Sequence, residues 1–317
     1  FALYGFPESH SASFALIAYA SAYLKAHHPG AFLCALLNAY PMGFYHPATL
    51  VKDAQRHGVH VMPVDITRSD WACTLEAARR VRLGLSYVHG MRRELADAIV
   101  RERKLGPFHS LADFERRVKL PNELLHTLAE LGAFAPLGHT RRAALWQVAQ
   151  LKERTEGLLG YIDDANDSPL PEMTLPERVV ADFHNAHLSV GPHPMAFARP
   201  ALAESGVLPA YIVNQQPHGR HVSTAGLVRV RQRPMTAKGF FFITLEDETG
   251  HCNLVLTPSL FEQHRPDAVG AKALWAHGRI QSQDGVVHLK CTQLAALETR
   301  LQSAAPSPNV DWGCRYG

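Results

Sequence analysis

The sequence predicts an α+β chain of several domains, mostly helical, with a five-stranded β-barrel near its end. Between Ser223 and Leu297 five runs alternate apolar and polar residues with period two, the spacing of a half-buried strand. Between Val81 and Arg154 apolar residues recur instead at helical spacing, in short segments. At 317 residues, 46% hydrophobic and 19% charged, the chain is long enough for two or three cores.

Ser9 or Ser11 can cap a first helix in which Phe14, Ile17, Ala18, Ala22 and Leu24 leave little polar surface, so burial on most sides is expected. His27-His28-Pro29-Gly30 ends it, and Ala31 to Ala39 starts a second helix. A third runs from Ala48 to His57 with Gly58 at its C-terminal cap, and Val59 to Val64 is extended. Glu94 to Arg103, Leu111 to Val118, Asn122 to Leu131 and Arg141 to Arg154 follow as amphipathic helices. Gly157 to Pro176 is rich in Gly, Pro, Asp and Ser and reads as a linker or loop. Thr174 to Leu202 is helical in parts, broken at Gly191-Pro192-His193-Pro194.

The barrel strands are Leu227–Arg233, Phe240–Leu245, Cys252–Leu256, Ala273–Ile280 and Val286–Cys291, with a helical patch at Leu260-Phe261-Glu262 after the third. That order suits a Greek-key barrel of the OB type, often used for single-stranded nucleic acid or sugars. The tail from Gln302 to Gly317 has no periodicity and is expected to be disordered. The domain expectation is therefore 1–75, 76–155, a linker with short helices over 156–222, the barrel over 223–300 and the tail over 301–317.

A net charge of +3 implies no partner by itself, so any nucleic-acid footprint must be local. The five cysteines include no CxxC pair, which argues for reduced thiols in a cytoplasmic protein. No apolar run reaches membrane-spanning length, and no signal peptide opens the chain. The scattered histidines lack the convergent spacing of a metal site, so none is expected. The start at Phe1, inside an apparently structured region, suggests a missing N-terminal part.

Phe1 to Pro29 closely resembles the end of the fingers domain of bacterial C-family DNA polymerases, and Val51 to Glu76 resembles the segment that follows it there. Gly226 to Leu256 resembles the OB domain of the error-prone branch, a paralogue of the polymerase III alpha subunit. The segments Leu245 to Gly250 and Arg231 to Gly239 favour that branch. Asn309 to Gly317 does not look like the family's usual ending. The resemblance implies a fingers end over 1–75, a helix-hairpin-helix-like module over 76–155 and the OB domain, within a translesion DNA-directed DNA polymerase using Mg2+ and deoxynucleoside triphosphates. Paired palm aspartates would lie upstream, since this chain has no Asp-x-Asp pair on a strand end. Asp163-Asp164 and Glu246-Asp247-Glu248 read as solvated turns, and no catalytic residue or metal ligand is assigned here. Other mutagenesis proteins and the sliding clamp are further partners implied. A non-catalytic single-strand-binding module or an interaction scaffold is the alternative.

The resemblance implies that His10 lies near the incoming nucleotide, a placement that suits the free N–H groups of a helix N-terminus; Ser9 and, more weakly, Lys25 are further candidate nucleotide contacts, and a capping turn with solvated side chains is the bland alternative. Val88 to Arg93 stands where a hairpin would hold a duplex phosphate, with His89, Gly90, Arg92 and Arg93 as candidates. Arg92 takes the place of the usual second glycine. Strict alternation puts Arg229, Arg231 and Arg233 on one barrel face, away from Val228 and Val230. Phe240 and Phe242 face outward beside them, and Lys238, Arg279, His288 and Lys290 extend a stacking and phosphate-binding platform. The alternative is that the phenylalanines pack under another domain. Gln293 to Leu297 faintly resembles a clamp-binding peptide.

Overall fold

The computed structural model describes residues 8–43, 45–155, 168–283 and 285–298. The expected turn at Asp163-Asp164 and the tail from 301 lie outside them. Two compact units result, one reaching to Val190 and the other starting at Gly191.

The first unit begins with α1 (Glu8–His27), α2 (Pro29–Asn38) and α3 (Pro47–Arg56). His46 caps α3 by accepting from the Ala48 N–H, and Pro47 supplies the helical φ of the first turn. Strands β1 (His60–Met62), β2 (Thr74–Ala77) and β3 (Arg80–Arg82) make a small sheet in the order β1-β3-β2. A 3-10 turn at Leu85–Tyr87 leads to α4 (Arg93–Leu105), α5 (Leu111–Val118), α6 (Asn122–Leu131), α7 (Arg141–Thr155) and α8 (Leu175–Ala186). Ser110 caps α5 through the Asp113 N–H, and Thr174 with Glu177 forms a complete capping box on α8. Phe114, Leu128 and Phe134 fill the helical core, with rings of Phe108, Phe114 and Phe134 meeting edge to face.

The expected burial of α1 is not found. Phe14, Leu16, Ile17 and Tyr19 are each more than half exposed. The low charge of this helix states a demand for cover, and composition cannot say whether a partner surface supplies it.

The second unit carries α9 (Pro194–Glu204), β4 (Val207–Leu208), α10 (Ala210–Val213), β5 (His221–Gln232), β6 (Phe241–Glu246), β7 (His251–Leu256), α11 (Pro258–Gln263), α12 (Arg265–Gly270), β8 (Ala273–Gln283) and β9 (Val286–Ala296). The strand order β5-β6-β7-β9-β8, closed by β8 pairing back to β5, makes a five-stranded OB-type barrel. Its interior holds Val222, Ile243, Leu245, Leu254, Leu274, Ile280 and Leu289. A second core lies outside β5 and β8, where Met195 and Leu202 of α9 cover Ala225, Leu227, Ala273 and Trp275. Gly278 has no room for a side chain, because a Cβ there would stand 2.1 Å from the Lys290 carbonyl oxygen.

The acids of the β6–β7 turn are not solvated. Glu246 is fully buried and ion-paired with Arg229. Asp247 is 1% exposed and accepts from the N–H groups of Thr249, Gly250 and Ala210, the Thr249 hydroxyl and Arg199. Arg199 also pairs with Glu248. Turn acids favour solvent unless donors converge on them, and here α9 and α10 deliver those donors. The Asp247→Ala substitution strands these donors and the Arg199 charge. It should cost the second unit about 3 kcal/mol or more, read as a lower urea midpoint for the barrel's unfolding, with the first unit's transition unmoved.

Candidate nucleic-acid interface

In the first unit, Val88 to Met91 forms a tight turn closed by the Met91 N–H donating to the Val88 carbonyl at 3.0 Å. Gly90 takes φ +77°, which side-chain-bearing residues rarely adopt, so the turn forms although Arg92 replaces the second glycine. Val88 and Met91 are buried, His89 donates its N–H to the Asn185 carbonyl at 2.7 Å, and its ring meets that of His187. Arg92 is the residue before α4, and Arg93 sits over the Trp71 ring with Asp97 3.7 Å away. The structure thus brings His89, Gly90, Arg92 and Arg93 together at one helix start, where first-turn N–H groups lack intrahelical partners.

His10 and Lys25 are not brought together. They stand fifteen residues apart on α1, about 22 Å at the helical rise. Lys25 is ion-paired with Asp53 at 2.7 Å, and the His10 ring meets Phe14. The Ser9 side chain lies outside the described residues.

In the barrel, the expectation that Arg229, Arg231 and Arg233 share a face is overturned. Val228 opposes Leu245 while Val230 opposes Thr244, so Arg229 is an extra, bulged residue and the alternation reverses beyond it. Arg229 turns to the buried Glu246. Arg231 comes to the side of Ile243 and donates to the carbonyls of Ala268 and Ala271, at and just past the end of α12. Burial lowers the Arg231 pKa, and these carbonyl acceptors offset the loss of water. Arg233 lies 4.9 Å over the Phe261 ring and 3.8 Å from Glu262. The peptide-like Gln293 to Leu297 is likewise not an open motif. Leu294 and Leu297 are buried, one in each core.

The outward expectation for Phe242 agrees with the geometry. Phe242 pairs with Val255, Val255 with Lys290, Lys290 with Arg279 and Arg279 with His221, which makes one row across four strand steps. The row spans about 19 Å along the curved surface. Phe242 and Val255 are half-buried, and Lys290, Arg279 and His221 are exposed. His288 flanks the row opposite Gln281. Lys238, with φ +50°, and half-buried Phe240 belong to the β5–β6 loop at the row's Phe242 end. Among the described residues no carboxylate pairs with Lys238, Lys290 or Arg279. Val255 and His277 on this surface escaped notice in the sequence, and His221 was read only as one of its scattered histidines; the alternation of Cys252 to Leu256 was the available signal for Val255.

This surface offers cations, imidazoles and an aromatic ring, and little acid–base chemistry. Burial pushes the thiols of Cys73 and Cys252 up to about 11 and about 12, so neither supplies a thiolate near neutral pH. A glycine-turn hairpin in one unit and an OB barrel with a basic, aromatic outer row in the other define a nucleic-acid-binding chain.

Comparison with known proteins agrees. Residues 58–144 match the helix-hairpin-helix motif model, and residues 222–297 match the OB-fold nucleic acid binding domain model. The error-prone DNA polymerase of Bordetella parapertussis is 46% identical over 307 residues, covering 95% of this chain and 29% of that protein. Those of Anaeromyxobacter dehalogenans and Rhodopseudomonas palustris are each 44% identical, over 94% and 98% of this chain and 27% and 31% of theirs. A solved structure, the asparaginyl-tRNA synthetase of Pyrococcus horikoshii, matches 29% of this chain and 22% of its own at 17% identity with a TM-score of 0.26, too slight for any argument. The chain is a homologue of the error-prone DNA polymerases and spans under a third of the length of these relatives.

Two substitutions separate the outer row from the structural arginines. Phe242→Ala should weaken single-stranded DNA binding roughly five- to hundredfold, the loss of one stacked base, with the thermal melt little changed. Arg231→Ala should do the reverse, costing about 1 kcal/mol of stability with oligonucleotide affinity nearly unaltered. Filter binding and melts on both variants check the pair.

Proposed function

We propose that this chain is the C-terminal part of an error-prone, damage-induced DNA-directed DNA polymerase of translesion synthesis. Its hairpin turn at Gly90 would hold primer–template duplex by the phosphate backbone, and its barrel would carry the template single strand. The observation that carries the reading is the row from Phe242 to Arg279, free of carboxylate partners among the described residues, in a chain 46% identical to such polymerases over 95% of its length. A flexible strand needs π-faces and cations side by side and no base-specific donors, and the row has that composition.

Nucleotidyl transfer with Mg2+ requires carboxylates converging on the metal. Among the described residues no group of three or more His, Cys, Asp and Glu side chains converges, and the buried acids Glu246 and Asp247 are held by arginines. These residues do not fit the metal. In this reading the metal, the catalytic aspartates and most deoxynucleoside triphosphate contacts belong to the longer protein, with His10 at the start of α1 a candidate for the sugar or phosphates. Contacts with the clamp or other mutagenesis proteins would need surfaces other than Gln293 to Leu297. No described helix is long and apolar enough to cross a membrane, and a cytoplasmic location is part of the proposal.

The purified chain should bind single-stranded DNA with an affinity that falls steeply as salt rises, and should not extend a primed template with Mg2+ and all four nucleotides. Lys290→Ala should weaken all sequences alike and flatten the logarithmic salt slope by about 0.7. Incorporation by the chain alone would sink the assignment of catalysis to the longer protein. Salt-independent binding would sink the phosphate-contact role of the row.

A further inference from the structure

The row ends on β5 and β8 at a cluster that the single-strand reading does not itself require. His277 lies against Trp275 on one side, ring centroids 6.3 Å apart and planes 15° from parallel. On the other side it meets His221, at 5.9 Å and 30°. The Ser223 hydroxyl and the His277 Nδ1 are 3.0 Å apart, which fixes the ring. Arg279 is the cross-strand partner of both His221 and Lys290, and its guanidinium lies over Gly219.

The surrounding charges are mostly positive. The turn before β5 contributes exposed His218, whose Nδ1 accepts from the Ser282 N–H at 3.2 Å, and Arg220. β8 contributes Arg279, and β9 contributes Lys290 and neutral Gln293 opposite His277. α9, packed over Trp275, contributes Arg199, already tied to Asp247 and Glu248, and Glu204 in its exposed last turn.

Resting on the single-strand reading of the row, we propose that His221 and His277 with Arg279 form an additional contact region for the strand's phosphodiesters, engaged most strongly when the imidazoles are protonated. Exposed His221, backed by His277, gives the base a surface to lie on. An imidazolium beside Arg279, which no carboxylate pairs with among the described residues, gives the phosphate a second cation. Histidine gains its proton around neutral to mildly acidic pH, so the contact strengthens as pH falls through that window. Phosphate raises the proton affinity of the bound state, so the added affinity is fully present at low pH and lost as pH rises.

The test is titration of an oligothymidylate of about 12 nucleotides into the 317-residue chain at constant ionic strength, from about pH 8 to about pH 6. Affinity should rise about three- to tenfold over that range, since one pKa unit of linkage is a factor of ten. The His221→Gln/His277→Gln double variant should respond by less than about twofold, whatever affinity it retains at the alkaline end. Should that variant fail its melt, His221→Gln alone should show a reduced response, and calorimetry of the unsubstituted chain in two buffers of different ionisation enthalpy should show net proton uptake on binding. Tight binding that ignores pH overturns this inference and leaves the row standing. A pH response surviving the double variant overturns the assignment to these histidines. No binding at any pH overturns both the inference and the single-strand reading.

Discussion

A single buried carboxylate organises the second unit. Asp247, in the turn between β6 and β7, collects five donors from its own turn, from the start of α10 and from α9. A carboxylate so placed is tolerable only when every lone pair is answered, and the answers come from parts of the chain up to 48 residues apart. It therefore fixes where α9 lies, and α9 in turn lays Met195 and Leu202 on Ala225, Leu227 and Trp275. With that outer side of β5 and β8 occupied, the open outer surface is the one crossed by Phe242, Val255 and Lys290. The open row is what remains after the carboxylate has decided which side is covered.

Much of the fold was legible because local rules and tertiary structure agree. The five period-two runs became the five barrel strands, and α5 and α6 run over the residues their periodicity predicted. Phe242 was placed correctly because nothing interrupts alternation between Phe241 and Leu245. The failures have physical causes of their own. A bulge leaves no compositional trace in Leu227 to Arg233, so the arginines were assigned by a parity that the backbone breaks. Glu246-Asp247-Glu248 has the composition of a solvated turn, and only distant Arg199 and Arg229 reverse that. The stack of His277 on Trp275 and His221 joins residues 56 apart in the second pair and depends on β8 closing onto β5, a pairing invisible to any local window.

The two units approach nucleic acid by different physics. The Gly90 turn presents backbone amides and arginines at a helix start, suited to a rigid, regularly spaced backbone whose sequence it ignores. The barrel row presents a ring and long cationic side chains, suited to a strand whose bases are free to turn outward. Neither has the convergent donors and acceptors that would read a base edge. Indifference to sequence is the property the two surfaces share.

The bulged Arg229 makes β5 two strands in one, joined out of phase. Its first part alternates between the barrel interior and the α9 side, and its last part is offset by one residue so that Arg231 can reach α12. Deletion of Arg229 would restore strict alternation and leave every downstream side chain on its present face, with Val230 opposite Thr244 and Arg231 opposite Ile243. Pairing the strand with Arg229 kept in register would instead slide its last part by one residue, carrying Val230 inward and Arg231 outward, a reading-frame error written in three dimensions. A homologue one residue shorter here should keep the same downstream faces, and an alignment that places its gap away from Arg229 will mistake one face of the barrel for the other.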